Sequence, residues 1–350
     1  MTEDTGRAIV LTIGPAHDGP WWWEQLRRSP LRHSLIYERV SLGGKTHHQM
    51  SLWDSARLTW RFLKLLVRAR RERIRYIFTF ESDVSCYLIG ILQLVPLLSG
   101  PRHVILQFIS REKGAGLGAG IRDAIARACL RSVHLIVCSS RNEAEYYRRR
   151  FGWPQSKVAF APFHTDQRFL REHSDAAASD YIIAAGRSYR DYATMAAAVA
   201  GTGLRTLIVC GRGGPGVSDL PSEVEVIREL PLAELIERMA RARIIVLPLE
   251  HRRISTGQTV LLQAMALGRP VIATRTAGTE DYLEDGENGV LTPPGDATAL
   301  RTAILDLWHD EARAATLARA ARRAVSRRHL PLHYAHQIAR LLASSEMPRA

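Results

Sequence analysis

The sequence has few cysteines and no long apolar segment. Its four cysteines (Cys86, Cys129, Cys138 and Cys210) are scattered over 350 residues without CxxC spacing. That pattern argues against a zinc site and against a disulfide scaffold. No apolar run reaches the roughly 18 residues that span a bilayer, and residues 8–13 are too few for the apolar core of a secretory signal. We therefore expect a reduced, cytoplasmic protein, and the length suggests two domains.

Basic charge is plentiful and unevenly distributed. The chain carries 48 Lys and Arg residues against 35 Asp and Glu residues, and arginine supplies nearly all of the basic charge. Residues 1–175 hold 27 basic and 16 acidic residues, whereas residues 176–350 hold 21 and 19. Either an arginine-rich genome explains this excess, or the first half has an anionic partner. A phosphorylated substrate or a membrane surface fits; nucleic acid does not, because no helix-turn-helix, zinc-finger or RNP-type signature is present.

Short apolar runs alternate with helical patterns throughout. This alternation predicts an α/β protein with two doubly wound parallel sheets, whose ligands bind at the carboxyl ends of the strands and in a cleft between the domains. We expect an N-terminal Rossmann-like domain at 1–170, a second at 181–328, a polar linker at 168–180 and a C-terminal helix within 329–350 that crosses back to the first domain. The predicted strands are 8–13, 34–40, 76–80, 103–108, 135–138, 158–161, 181–185, 205–210, 224–227, 243–247, 270–274 and 289–291.

One predicted helix in the first half carries a basic face. Arg57, Arg61, Lys64, Arg68, Arg71 and Arg75 recur at spacings of three and four residues. Leu58, Phe62, Leu65 and Leu66 form its apolar face. Such a helix can dock on anionic lipid headgroups, at the inner face of the membrane, or can simply present a solvated outer face.

A loop and the helix that follows it form a candidate phosphate site in the second half. A helix N-terminus offers unpaired backbone N–H groups and the positive end of a dipole. Gln263, about one turn inside the helix, can reach a ribose hydroxyl. We therefore predict nucleotide contacts at Ser255, Thr256, Gly257, Gln258, Thr259 and Gln263.

The run that continues from this helix, LLQAMALGRPVIATRTAGTEDYLEDGENGVLTPPGD, makes the assignment more specific. It resembles the nucleotide-sugar-binding signature of GT-B glycosyltransferases, especially family 4. The resemblance covers most of the chain and is strongest over 181–300. It implies that Gly186, Arg187 and Ser188 meet the donor diphosphate, that Gly211 turns beside them, and that Leu230 lies in the stretch that holds the base.

Three departures from that family pattern matter. Ser255 and Gln263 occupy the places of the two usual glutamates, so Ser255 cannot act as the carboxylate near the transferred sugar. Gln263 keeps the ability to hydrogen-bond a ribose. Arg190 can replace a usual lysine as a second diphosphate contact, or can form a surface ion pair with Asp191. Phe108 stands where a histidine is often found.

Candidate catalytic residues follow two strands of the first half. His17 and Asp18 lie in the loop after the first strand, and His17 can act as general base on an acceptor hydroxyl or only contact the acceptor or solvent. Glu81 and Asp83 follow another strand and are alternative bases. Trp21 and Trp22, in a Trp21–Trp23 run, can stack on a sugar or an apolar acceptor.

These residues predict a metal-independent glycosyltransferase. Its donor is a nucleotide-diphosphate sugar, with UDP preferred over GDP or TDP, and no cofactor or metal is expected. The acceptor is lipid-linked, phosphorylated or a natural product. The acidic cluster around Glu280 and Glu284 is interpreted as turn chemistry and not as a metal site. The alternatives are a nucleotide-sugar epimerase of the same fold and a degenerate, non-catalytic partner subunit.

Overall fold

The structure is a computed structural model that describes residues 7–13, 34–40, 52–80, 84–110, 112, 114, 116–171 and 179–346. The chain divides into two compact units, Met1–Ala161 together with Tyr334–Ala350, and Pro162–His333. Within the described residues, no helix is long and apolar enough to cross a membrane.

The first unit is built on a parallel sheet with strand order β2-β1-β3-β4-β5-β6. Its strands are β1 (Arg7–Ile13), β2 (Ser34–Val40), β3 (Tyr76–Phe80), β4 (Arg102–Leu106), β5 (Leu135–Cys138) and β6 (Val158–Phe160). Its helices are α1 (Leu52–Arg71), α2 (Val84–Leu92), α3 (Leu117–Cys129) and α4 (Arg141–Phe151), with a short 3₁₀ turn at Pro96–Leu98. The buried strand residues alternate between two apolar clusters, as both faces of a covered parallel sheet require.

The second unit contains a parallel sheet with strand order β12-β11-β10-β7-β8-β9. Its strands are β7 (Ser179–Ala185), β8 (Thr206–Cys210), β9 (Val224–Arg228), β10 (Ala242–Leu247), β11 (Val271–Thr274) and β12 (Val290–Thr292). Its helices are α5 (Tyr192–Val199), α6 (Leu232–Arg241), α7 (Gln258–Ala266), α8 (Ala297–His309) and α9 (Glu311–Arg328). Two large apolar clusters cover the two faces of this sheet.

A last helix, α10 (Pro331–Glu346), follows the predicted break at 329–331. Its residues Tyr334, Ala335, Ile338 and Leu342 are buried with the strands of the first sheet. Each of the twelve predicted segments contains a strand, and the predicted α/β class is confirmed.

Two predictions of local structure are wrong. The basic periodicity runs to Arg75, but α1 ends at Arg71 and Arg75 lies beyond it. The helix ends there because Arg73 adopts a φ of 52° and the Ile74 amide donates to the Ala69 carbonyl, which is the closing bond of a Schellman turn. The linker predicted at 168–180 is also too long, because Gln167–Leu170 form a 3₁₀ turn and β7 begins at Ser179.

Candidate functional site

The strand order of the second sheet locates its binding edge. Strands β7 and β10 are neighbours although β8 and β9 separate them in sequence, so the strand order reverses between them. Ligands of open α/β sheets bind outside the carboxyl ends of the strands at such a reversal. The loops that leave those two ends are residues 186–191 and 248–257, and they contain most of the predicted nucleotide contacts.

Backbone hydrogen bonds join these two loops. The Asp191 amide donates to the Pro248 carbonyl at 3.0 Å, and the Glu250 amide donates to the Tyr189 carbonyl at 3.1 Å. Asp191 also caps α5, since its carboxylate accepts from the backbone amide and the hydroxyl of Thr194. The binding edge is therefore built from two loops that are fixed to each other.

The backbone of Gly186 and the side chain of Arg190 are in close contact in the first loop. The backbone of Gly186 has a φ of 144°, and a Cβ at this position would lie 2.2 Å from Nε of Arg190. The Arg190 guanidinium donates from Nε to the Ala185 carbonyl at 3.0 Å and from Nη1 to the Ser188 carbonyl at 2.8 Å. Burial lowers the pKa of Arg190 from its ordinary value, although an arginine stays charged at neutral pH.

The alternative interpretation of Arg190 as an exposed ion-pair partner of Asp191 is wrong. Among the described residues, the Asp191 carboxylate accepts from Thr194, and Arg190 bonds to backbone carbonyls instead. Because a guanidinium has five N–H donors, this arrangement leaves donors for a further acceptor.

Arg187 is exposed and lies over Gly211, so that a Cβ on Gly211 would meet the Arg187 Cγ at 3.5 Å. Within the described part of the chain, its guanidinium has no carboxylate or carbonyl partner. By contrast, the neighbouring Arg212 pairs with Glu229 at 3.5 Å. The charge of Arg187 is thus available to an anion at the binding edge.

The N-terminus of α7 carries two buried polar groups without partners. Gly257, with a φ of 86°, begins the helix, and no side chain caps it. Thr256 and Gln258 are 8% and 6% exposed, and in the described structure neither Oγ1 of Thr256 nor Nε2 of Gln258 has a hydrogen-bond partner. A buried polar group without a partner costs about 1–3 kcal/mol. Together with the open helix N-terminus, these groups indicate a site that an anionic, hydrogen-bonding ligand completes.

A third loop, after β11, packs closely against the residue that precedes α7. A Cβ on Gly278 would lie 2.2 Å from the carbonyl oxygen and 2.7 Å from the amide nitrogen of Thr256. Thr279 fixes the loop, because its hydroxyl donates to the Thr274 carbonyl at 2.7 Å and accepts from the Thr276 amide at 3.0 Å. Sequence reasoning missed Gly278 and Thr279. A glycine in the loop that follows a buried strand was the available signal for a close backbone approach.

The other predicted nucleotide contacts lie on the same elements. Gln263 is 6% exposed on α7, Ser255 is buried in the loop before it, and Thr259 is exposed on its first turn. Leu230 is half-buried at the end of the loop that follows β9, where it packs against the core. Ser188 is exposed and offers its carbonyl to Arg190.

The predicted catalytic and acceptor residues lie outside the described residues. These are His17, Asp18, Trp21, Trp22, Glu81 and Asp83. The strands that precede them, β1 and β3, are neighbours although β2 separates them in sequence, so the first sheet also reverses its strand order there. Phe108 is fully buried and packs edge-on against the rings of Tyr147 and Trp153.

The acidic residues near Glu280 take part in ion pairs. Asp285 pairs with Arg275 at 2.7 Å, and Glu284 pairs with Arg328 at 3.1 Å. No group of three or more His, Cys, Asp or Glu side chains in the described residues is arranged to hold a metal ion.

Residues 185–310 match the family model described as Glycosyl transferases group 1. The matched segment begins at the end of β7 and contains the three loops described above. The predicted resemblance to GT-B glycosyltransferases is confirmed.

Similar proteins agree with that match. The chain is 33% identical over 111 residues to GDP-mannose-dependent alpha-(1-6)-phosphatidylinositol monomannoside mannosyltransferase of Mycolicibacterium smegmatis. The aligned segment covers 30% of this chain and 29% of that protein. The chain spans less than a third of the length of the curated relatives it matches.

Two solved structures share the fold over nearly the whole chain. Sucrose-phosphate synthase from Thermosynechococcus elongatus has a TM-score of 0.68 at 19% identity and covers 97% of this chain and 98% of its own. HepE from Anabaena, in complex with UDP and glucose, has a TM-score of 0.67 at 15% identity and covers 97% and 100%.

Proposed function

We propose that this protein is a glycosyltransferase that moves a sugar from a nucleotide-diphosphate sugar to an acceptor held by its basic first unit. The observation that carries the proposal is the pair of unpartnered buried groups, Thr256 Oγ1 and Gln258 Nε2, at the open N-terminus of α7. They lie on one of the two joined loops at the reversal of strand order, and the other loop carries Arg187.

The diphosphate of the donor binds at this edge. Glycosyl transfer breaks the bond between the sugar and the β-phosphate, so negative charge grows on the leaving diphosphate. The backbone amides at the start of α7 and the guanidinium of Arg187 stabilise that charge, and Arg190 adds a second guanidinium beside them. These positive groups supply the role that a divalent cation would otherwise fill, so we infer metal-independent transfer.

The nucleoside is held by the rest of the matched segment. The Gln263 amide hydrogen-bonds a ribose hydroxyl, and the apolar side chain of Leu230 packs against the base. UDP is the preferred donor nucleotide because the structure of HepE, which has the same fold, is a complex with UDP and glucose. The mycobacterial relative is named as GDP-mannose-dependent, so GDP is the first alternative and TDP the second.

The acceptor is lipid-linked or phosphorylated, and the first unit contacts the membrane surface through α1. Arg57, Arg61, Lys64 and Arg71 are exposed on this helix, whereas Leu58, Phe62, Leu65 and Leu66 are buried beneath it. Trp60 is also exposed, and the Lys64 ammonium lies 3.5 Å from the centroid of its ring. Cations beside an exposed indole suit the interface of an anionic bilayer.

Calorimetric titration with UDP, GDP, TDP, ADP and CDP tests the donor site. We expect one diphosphate, with UDP first, to bind in the presence and absence of EDTA. Arg187→Ala should weaken its affinity tenfold or more, since a charge-assisted hydrogen bond contributes about 1.5–3 kcal/mol. Arg212→Ala is the matched control, because Arg212 is equally exposed at the same edge but pairs with Glu229.

If Arg187→Ala binds the diphosphate with nearly normal affinity, the assignment of Arg187 to the phosphate site is wrong. If EDTA abolishes diphosphate binding, the site needs a metal ion and the proposal of metal-independent transfer is wrong. Turnover distinguishes the alternatives. A protein that binds the diphosphate but transfers no sugar to any acceptor is a non-catalytic partner subunit, and one that interconverts nucleotide sugars without an acceptor is an epimerase.

A further inference from the structure

The first unit contains a cavity lined by several basic side chains. It has a volume of about 690 Å³ and lies where Pro101–Arg102, Ser132–His134 and Lys157 lead into β4, β5 and β6. These are the amino ends of parallel strands. The cavity is therefore at the edge of this sheet opposite to the one from which the predicted catalytic loops leave.

The titratable groups that line the cavity are all basic. They are Arg102, Arg127, Arg131, His134 and Lys157, and no aspartate or glutamate of the described residues lines it. His134 bonds through its ring Nε2 to the Ser345 hydroxyl at 3.0 Å. Like charges gathered around one concave space repel each other, and a bound anion relieves that repulsion.

Lys157 is the most enclosed of these cations. Its ammonium donates to the Leu130 carbonyl at 2.7 Å and to the Arg131 carbonyl at 2.9 Å, at the end of α3. An ammonium has three donors, so one remains. Burial lowers the pKa of Lys157 to about 8, because no carboxylate in the described residues offsets the loss of solvent.

Gln93 adds an acceptor to the same cavity. It is 6% exposed, its Nε2 donates to the Pro101 carbonyl at 2.7 Å, and its Oε1 has no hydrogen-bond partner in the described structure. The bond to Pro101 fixes the orientation of the amide, because a reversed amide would place two oxygens together. A ligand that satisfies Oε1 must donate a hydrogen bond, which a fully ionised phosphate cannot do.

We propose that this cavity binds a phosphate ester that also carries hydroxyl groups. The arginines and Lys157 hold the phosphate, and a ligand hydroxyl donates to Gln93. This chemistry occurs in a soluble phosphorylated polyol and in the headgroup of a phospholipid. The 3₁₀ turn next to the cavity exposes Leu97 and the residues before it, Leu94 and Val95, so a membrane source is physically accessible.

Titration of the full chain with glycerol 3-phosphate and with methyl phosphate, whose dianion has no hydrogen-bond donor, tests the site. Flotation with phosphatidylglycerol and phosphatidylcholine vesicles tests the lipid source. Arg127→Ala should weaken binding tenfold or more. Arg122→Ala is the control, because Arg122 is also exposed on α3 but does not line the cavity. UDP affinity is measured on every variant, so failure here is separate from failure of the donor site.

Gln93→Met tests the hydroxyl contact. It should abolish the preference for glycerol 3-phosphate over methyl phosphate while it leaves the binding of methyl phosphate within twofold. Anion binding should also draw a proton onto Lys157, so the heat of binding at pH 8 should change with the ionisation enthalpy of the buffer.

Binding of glycerol 3-phosphate that depends on Arg127 supports a soluble ligand. Vesicle binding alone, specific for phosphatidylglycerol and dependent on Arg127, supports a headgroup. The proposal is overturned when neither probe binds, or when Arg127→Ala and Arg122→Ala weaken binding equally.

Discussion

The two sheets place their strand reversals differently. In the first sheet the reversal lies between β1 and β3, and in the second it lies between β7 and β10. At the second reversal, two joined loops present Arg187 and a helix N-terminus with two buried polar groups. None of the three has a hydrogen-bond partner among the residues that the structure describes. At the first reversal, the residues that follow β1 and β3 in sequence include His17 and Glu81. Strand order thus fixes where each unit can bind, whereas the residues in the loops decide which ligand it binds and which step it performs.

Replacement of His17 tests the division of labour between the units most directly. We expect His17→Ala to lower turnover about 100-fold or more, because general base catalysis contributes at least that factor. UDP affinity should change by less than twofold, since the proposed donor contacts lie in the second unit. Steady-state kinetics and calorimetry measure the two effects separately. Unchanged turnover would make Glu81 or Asp83 the base, and His17→Asn and the Glu81→Gln variant complete the comparison.

Two glycines provide a matched pair, one in each unit. A Cβ on Gly90 would lie 2.2 Å from the Cys129 carbonyl oxygen, as a Cβ on Gly278 would from that of Thr256. Alanine at either position should lower the free energy of unfolding by about 2 kcal/mol, because the clashing atom belongs to the backbone. Only Gly278→Ala should also weaken UDP binding, since it displaces the start of α7.

Gly213→Ala is the control for both substitutions, because a Cβ there meets nothing within 4 Å. Equal loss of UDP affinity in the Gly90 and Gly278 variants would show that the effect is global destabilisation and not displacement of the donor loop.

Buried histidines give the two units a common sensitivity to acid. Burial lowers the pKa of His103 to about 3 and that of His329 to about 4. Both are neutral when folded, so the full stability is present above the unfolded pKa near 6.5 and is lost as pH falls toward the folded values. Each histidine should lower the free energy of unfolding by about 1 kcal/mol between pH 7 and pH 5.5.

Hydrogen exchange resolved by unit measures this loss at the two pH values. His103→Gln should flatten the pH dependence of the first unit only. His329→Gln should reduce that of the second unit only, because burial also lowers the pKa of His164 in that unit to about 4. A variant that leaves the slope of its own unit unchanged would exclude that histidine as the acid-sensitive group.

The smallest expected effect is at Gln263. Gln263→Ala should weaken UDP binding about threefold, the value of one neutral hydrogen bond of roughly 0.7 kcal/mol. Gln263→Glu should restore affinity, because a carboxylate accepts from a ribose hydroxyl as well. Titration with UDP and with pyrophosphate, which has no ribose, separates the ribose contact from the phosphate contacts. Weaker binding of both ligands would contradict the assignment of Gln263 to the ribose.

The sequence predicted the sheets well because each strand is a short apolar run bounded by polar residues. It could not predict that α1 ends at Arg71, because the left-handed residue of the closing turn is Arg73 and not the usual glycine. The assignment of Arg187 and of the N-terminus of α7 to the phosphate site came from a local sequence pattern. The carbonyl partners of Arg190, the contact of Gly278 with Thr256 and the cation-lined cavity join residues distant in sequence, so they depend on tertiary structure.

The crowding of Gly186 and Arg190 has a consequence for the history of this loop. The Arg190 side chain occupies the space that any larger residue at position 186 would need. A larger residue at position 186 would displace the Arg190 guanidinium from its bonds to the Ala185 and Ser188 carbonyls. We therefore expect positions 186 and 190 to vary together among homologues.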